Sequence, residues 1–140
     1  MKYVTELSIF LPNEPGELAE LLKELSESEI NVRAISVVET ADYGLILLLV
    51  DKPKKCIDYL EQNGYEFTST EVIAVKFGKD ASDLFNVANS LGNNKINIDY
   101  LYLTTTPKYH SVIIVKVDDP DKAIDVLQKQ DFELIEGDDL

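Results

Sequence analysis

The segment Glu29-Ile30-Asn31-Val32-Arg33-Ala34-Ile35 is answered 66 residues later by Lys95-Ile96-Asn97-Ile98-Asp99-Tyr100-Leu101. A chain that repeats itself at such a spacing is built from two copies of one supersecondary unit. Toward the N-terminus the same spacing sets Leu7 against Ile73, Ile9 against Val75, Leu18 against Leu84 and Leu25 against Leu91, apolar on both sides. Toward the C-terminus, Val50-Asp51-Lys52-Pro53 meets Val117-Asp118-Asp119-Pro120 at a spacing of 67, and Ile57, Leu60 and Tyr65 meet Ile124, Leu127 and Phe132. One residue has therefore been inserted, and this reading places it in the turn from Thr104 to Tyr109.

Each copy reads as strand, helix, strand, strand, helix, strand. Tyr3 to Leu11 is a strand stopped by Pro12. From Pro15 to Ser28, Leu18, Leu21, Leu22 and Leu25 recur at spacings of three and four, which is one face of a helix, and Pro15 suits a first helical turn because its missing N–H has no partner there. Val32 to Thr40 and Gly44 to Val50 are β-rich runs joined by a hairpin at Ala41-Asp42-Tyr43-Gly44. A second helix begins at Asp51-Lys52-Pro53, with Asp51 as its expected cap, and stops at Asn63-Gly64. In the second copy, helices are expected over 81–91 and 120–130, and strands near 73–77, 97–105, 111–118 and 132–135. With right-handed crossovers this predicts an α+β fold of two tandem ferredoxin-like βαββαβ units, antiparallel sheets with helices on one face, over residues 1–70 and 71–140.

Composition narrows the partners. Of the 140 residues, 13 are Lys or Arg and 26 are Asp or Glu, giving a net charge of −13 that repels phosphate backbones and anionic membranes. No nucleic-acid or membrane partner is expected. The single Cys56 allows no intramolecular disulfide. Met1 to Glu6 lacks the apolar run of a signal peptide, and Gly44 to Val50 is too short to cross a bilayer. A cytoplasmic protein is the expectation.

The strongest functional signal is Pro12-Asn13-Glu14-Pro15-Gly16-Glu17-Leu18, between the first strand and the first helix. A helix start offers N–H groups without intrahelical partners and a partial positive charge, which suit a carboxylate. Gly16 leaves the backbone open to a ligand, and Asn13 can both donate and accept hydrogen bonds. Pro-Gly before a helix can equally be a plain turn.

With Asn-x-Pro-Gly-x-Leu at Asn13 to Leu18, Ile-Asn-Val at Ile30 to Val32 and the βαββαβ order, the sequence resembles the ACT domain family, small regulatory modules of amino-acid metabolism, once per repeat over nearly the whole chain. The resemblance implies a non-catalytic sensor of a free amino acid, acting as a homodimer or with an enzyme of amino-acid metabolism, without metal or cofactor. It implies that Asn13, Pro15, Gly16, Glu17 and Leu18 grip the ligand and that an Asn opening a second strand, often from the neighbouring domain, completes the site; Asn31 and Asn97 hold that position. Serine-binding members carry a His two residues before the loop Asn, where this chain has Leu11. In the second copy Lys79, Ala81 and Ser82 replace Asn13, Pro15 and Gly16, so that loop is expected to be weaker or empty.

Other readings stay in view. Asn31 and Asn97 can satisfy local backbone groups. His110 is expected to be a solvated strand-end residue, Cys56 a small core residue, Glu136 to Leu140 a frayed tail, and Arg33 half of an ion pair between domains. An acylphosphatase-like enzyme needs an arginine in the first loop, and neither loop has one. No nucleophile elbow, P-loop or dinucleotide fingerprint occurs. A pure interaction module, pairing through sheet edges, is the remaining alternative.

Overall fold

The computed structural model describes residues 3–40, 42–78 and 82–140, Glu39 by its backbone alone. The first copy comprises β1 (Val4–Pro12), α1 (Glu17–Glu27), β2 (Val32–Glu39), β3 (Tyr43–Val50), α2 (Pro53–Gln62) and the start of β4 (Glu66–Lys76). The second uses the rest of β4, then α3 (Ser82–Asn93), β5 (Ile98–Thr104), β6 (Val112–Val117), α4 (Pro120–Lys129) and the short β7 (Leu134–Ile135). Expected Ala41, Lys79 and Ala81 lie outside the described residues. The chain packs as two compact units, residues 5–70 and residues 71–140 together with Tyr3 and Val4.

In the first unit the strands run in the order β2-β3-β1 with β4 beside β1, and in the second β5-β6-β4 with β7 also on β4. The α+β, ferredoxin-like reading is thereby met. Its least expected element is β4, a single strand of 11 residues in which the division between units falls. Glu66-Phe67-Thr68-Ser69-Thr70-Glu71-Val72-Ile73 contains no Gly, Pro or Asn to turn the chain, and its β-branched residues hold it extended.

Each unit buries one face of its helices on its sheet. Leu21 and Leu25 of α1 with Cys56 and Leu60 of α2 cover Leu7, Ile9, Ile46 and Leu48. Val87 and Leu91 of α3 with Ala123 and Leu127 of α4 cover Ile73, Val75, Ile113 and Val115. Fully burying one such side chain stabilises by about 1.5–3 kcal/mol before entropy is counted. In β3, Leu47 and Leu49 are buried as well as Ile46 and Leu48. Burial on both faces is why that strand reads as a continuous apolar run rather than an alternation.

The duplication extends to backbone detail that apolar pattern cannot show. Ile30, Tyr65, Ile96 and Phe132 each donate their N–H back to Leu25, Leu60, Leu91 and Leu127, at 2.9, 3.0, 3.0 and 3.1 Å. Each follows a left-handed residue, Glu29 (φ 60°), Gly64 (φ 71°), Lys95 (φ 59°) and Asp131 (φ 62°), so all four helices end in the same C-terminal motif. Both sheets carry an irregularity at the second residue of the inner hairpin's first strand, between Val32 and Ala34 and between Ile98 and Tyr100. The hairpin tips match too. Thr40 N donates to Tyr43 O at 2.9 Å and Tyr43 N to Thr40 Oγ1 at 3.2 Å, while Thr106 and Tyr109 repeat this at 2.9 and 3.0 Å.

That repetition relocates the inserted residue. Thr40 and Tyr43 still stand 66 positions before Thr106 and Tyr109, whereas Leu11 pairs with Gly44 and Phe77 N bonds Ser111 O. The extra residue is therefore His110, just beyond the turn in which the sequence reading placed it. The C-terminus also differs from expectation: Gly137–Asp139 forms a short 3-10 turn and Leu140 is buried, because its apolar side chain finds cover.

Candidate functional site

The loop after β1 is shaped by one residue. Gly16 has φ 90° and ψ −15°, a left-handed conformation that an L side chain adopts only with strain. A Cβ there would meet nothing within 4 Å, so the glycine is required by the backbone angle and not by crowding. Because Gly16 cannot continue a helix at this angle, α1 starts at Glu17, and Pro15 precedes the helix instead of opening it. The turn is closed by Glu14 N to Pro12 O at 2.9 Å and Glu17 N to Glu14 O at 3.3 Å.

No side chain hydrogen-bonds as the N-cap of α1. Glu17 N is given to Glu14 O, so the later N–H groups of the first turn and the helix dipole are what the helix start offers behind an exposed loop, Asn13 to Gly16, with Glu17 and Leu18 half-buried. The second unit's matching position differs: Gly78 N donates to Asp83 Oδ2 at 2.7 Å, placing a carboxylate of the chain itself at that turn. Ser82 opens α3, and Lys79 and Ala81 lie outside the described residues.

A groove of about 380 Å³ adjoins the first loop, lined by Phe10, Leu11, Pro12, Asp42, Tyr43 and Glu66. Phe10 and Tyr43 meet edge to face at 5.2 Å, giving it an aromatic wall, and Asp42 and Glu66 give it negative charge. Carboxylate-binding N–H groups and an acidic, aromatic groove thus lie at the same end of β1.

Asn31 is not brought to this loop within its own unit. β1 and β2 both run antiparallel to β3, with Pro12 opposite Tyr43 and Val32 opposite Val50, so Asn31 stands at the far end of the sheet. Asn97 belongs to the other unit. Asp51, expected as a helix cap, binds Asn31 instead: Oδ1 accepts from Asn31 N and Oδ2 from Asn31 Nδ2, both at 2.9 Å, and Asp51 N donates to Asn31 O at 3.0 Å. The N-cap position of α2 falls to Lys52. Burial opposes ionisation of Asp51, and the side-chain and backbone hydrogen bonds from Asn31 with the charges of Lys52 and Arg33 outweigh it, leaving the pKa lowered. Arg33 thus acts on a carboxylate of its own unit.

The second unit repeats the clamp. Asp118 Oδ1 accepts from Asn97 N at 3.0 Å and Asp118 N donates to Asn97 O at 3.2 Å, while Asn97 Nδ2 turns to Asp99 Oδ1 at 3.0 Å. The Val-Asp-x-Pro recurrence in sequence is the visible signal of these clamps.

Among the described residues no group of three His, Cys, Asp or Glu side chains could hold a metal ion, and no helix is long and apolar enough to cross a membrane. Cys56 is fully buried, and burial raises its thiol pKa to about 11, which makes it a weak nucleophile.

Against known proteins, a family model described as an ACT domain pair matches residues 2–140. The crystal structure of protein BT0572 from Bacteroides thetaiotaomicron superposes with a TM-score of 0.90 at 27% identity, covering 99% of this chain and 95% of that one. The regulatory subunits of aspartate kinase from Thermus thermophilus, in its ligand-free form, and from Thermus flavus share the fold. Their TM-scores are 0.63 and 0.64 at 15% identity, covering 92% and 90% of this chain and 93% and 89% of theirs. No curated protein matches in sequence.

Proposed function

Because the chain belongs to the family of paired ACT domains, we propose that it is a non-catalytic regulatory protein of the cytoplasm that binds a free amino acid at the loop from Asn13 to Leu18. Its two ACT-like domains are read as residues 1–70 and 71–140. It would pass the signal on as a homodimer or to an enzyme of amino-acid metabolism.

The observation that carries this reading is the start of α1, whose N-cap Gly16 has no side chain to cap it, beside an acidic groove. An amino acid is a carboxylate and an ammonium one carbon apart. The N–H groups behind Gly16 favour the carboxylate, and Asp42 and Glu66 favour positive charge. The Phe10 and Tyr43 rings offer a surface to an apolar or cationic side chain. No general acid, nucleophile or metal is needed for binding alone.

The test is a melting scan against the twenty amino acids. One of them at 100 times its dissociation constant should add about 2.7 kcal/mol, and Gly16→Leu or Asp42→Lys should abolish that gain. No response to any amino acid would defeat the proposal. Asn31→Ala separates two roles for that residue: a purely structural Asn31 lowers the melting temperature without changing ligand affinity.

A further inference from the structure

The groove beside the first loop has a counterpart at the equivalent corner of the second unit, and the charged side chains lining it are basic instead of acidic. This second groove, about 740 Å³, lies between the end of β4 and the β5–β6 hairpin and is lined by Lys76, Lys108, Tyr109, His110 and Ser111 with Phe77 and Gly78. Lys76 occupies the position of Phe10 and Lys108 that of Asp42, and the inserted His110 has no counterpart in the first unit. Two of the chain's 13 basic residues and its only histidine therefore converge here, in a protein of net charge −13. No described residue lining it is acidic, and the carboxylate of Asp83 adjoins it through its hydrogen bond from Gly78 N.

From this we infer that the second groove is a separate site for a small oxyanion, a carboxylate- or phosphate-bearing metabolite. It neither depends on the loop at Gly16 nor shares residues with it. Lys76 and Lys108 supply the charge, the Ser111 and Tyr109 hydroxyls and the His110 imidazole can donate hydrogen bonds, and Phe77 and Tyr109 give the groove apolar walls. The lysines have partners already: Lys76 Nζ lies 3.4 Å from Glu133 Oε2 and Lys108 Nζ 3.9 Å from Asp139 Oδ1. Both pairs are more than half exposed or nearly so, and such pairs contribute little. An entering oxyanion can replace those carboxylates at small cost.

His110 makes the site directly observable, since its ring resonances are the only histidine signals in the protein. Inorganic phosphate and succinate would each be titrated at fixed pH while the His110 signals are followed by NMR, with chloride as the ionic-strength control. A saturable shift absent with chloride is expected, and whichever probe saturates first identifies phosphate or carboxylate as the preferred group. Lys76→Glu with Lys108→Glu should weaken binding about tenfold or more, and Lys76→Met with Lys108→Met serves if the reversal disturbs folding. Shifts that match chloride, or a saturable shift that survives loss of both lysines, would overturn the assignment. Whether an amino acid binds at Gly16 alters neither outcome.

Discussion

Replacing Gly16 by alanine tests whether one backbone angle shapes the binding loop. At φ 90° the new Cβ meets no atom within 4 Å, so crowding contributes nothing and the cost is conformational alone. Left-handed backbone costs an L residue about 1–2 kcal/mol. Unless the loop rearranges, the variant loses that amount. If the unit of residues 5–70 melts by itself, its midpoint falls by about 4–8 °C per kcal/mol, and by about half that if the whole chain melts together. Gly16→Asn supplies the control, because asparagine tolerates this region better than alanine. The expected order of stability by urea titration is Gly, then Asn, then Ala. If alanine matches glycine within ~0.3 kcal/mol, or falls level with asparagine, the backbone has relaxed and the glycine argument fails.

The left-handed residues ending the helices make the converse prediction. Lys95→Gly and Glu29→Gly should each stabilise by up to about 1 kcal/mol, the relief of strain partly offset by a freer unfolded chain, while Gly64→Ala costs about 1 kcal/mol; equal midpoints across all three would refute this. Leu25→Ala and Leu91→Ala should each cost about 2–5 kcal/mol in denaturant unfolding, since both side chains are fully buried under their helices. Asp51→Ala leaves Asn31 without its clamp and should cost about 1 kcal/mol, and an unchanged midpoint would show that water replaces the carboxylate. Hydrogen bonds from Tyr65, at 2.6 Å, and Tyr59 hold the Glu24 carboxyl below its ordinary value of 4.5. That stability is present above the ordinary value and disappears as pH falls through the lowered one. Tyr65→Phe should therefore flatten the acid limb of a stability profile, and an unaltered slope would remove Glu24 as its source.

The repeat was legible because apolar identity at Leu7 and Ile73, or Leu25 and Leu91, survives as long as both cores need filling. The loop was legible because Pro-Gly before a helical pattern fixes a turn. What stayed hidden involves partners distant in sequence. Local sequence puts Asp51 two residues before a helix, where a cap is expected, yet its carboxylate is taken by Asn31, 20 residues earlier. The unbroken β4 was missed because repeat counting assigns a boundary where the chain has no turn residue to make one. The two grooves were invisible for a similar reason: Lys76 and Lys108, or Phe10 and Asp42, meet only once a strand and a hairpin pack. Glu24, Tyr59 and Tyr65 are tied together in one unit alone, where the other has Ser90, Val126 and Phe132, so comparing the copies hides that contact.

His110 also bears on how two copies of a gene segment can drift apart. A strand has parity: its residues take alternate sides, and an odd insertion within β6 would exchange Ile113 and Val115 with Val112 and Ile114 from there onward. Placed at the corner before Val112, the odd residue is absorbed and every later side chain keeps its side. Corners of this kind are where a duplicated unit can change length by any number, and the strands between them only by two. Further lengthening beside His110 should be silent for folding, while a single residue added three positions later should not.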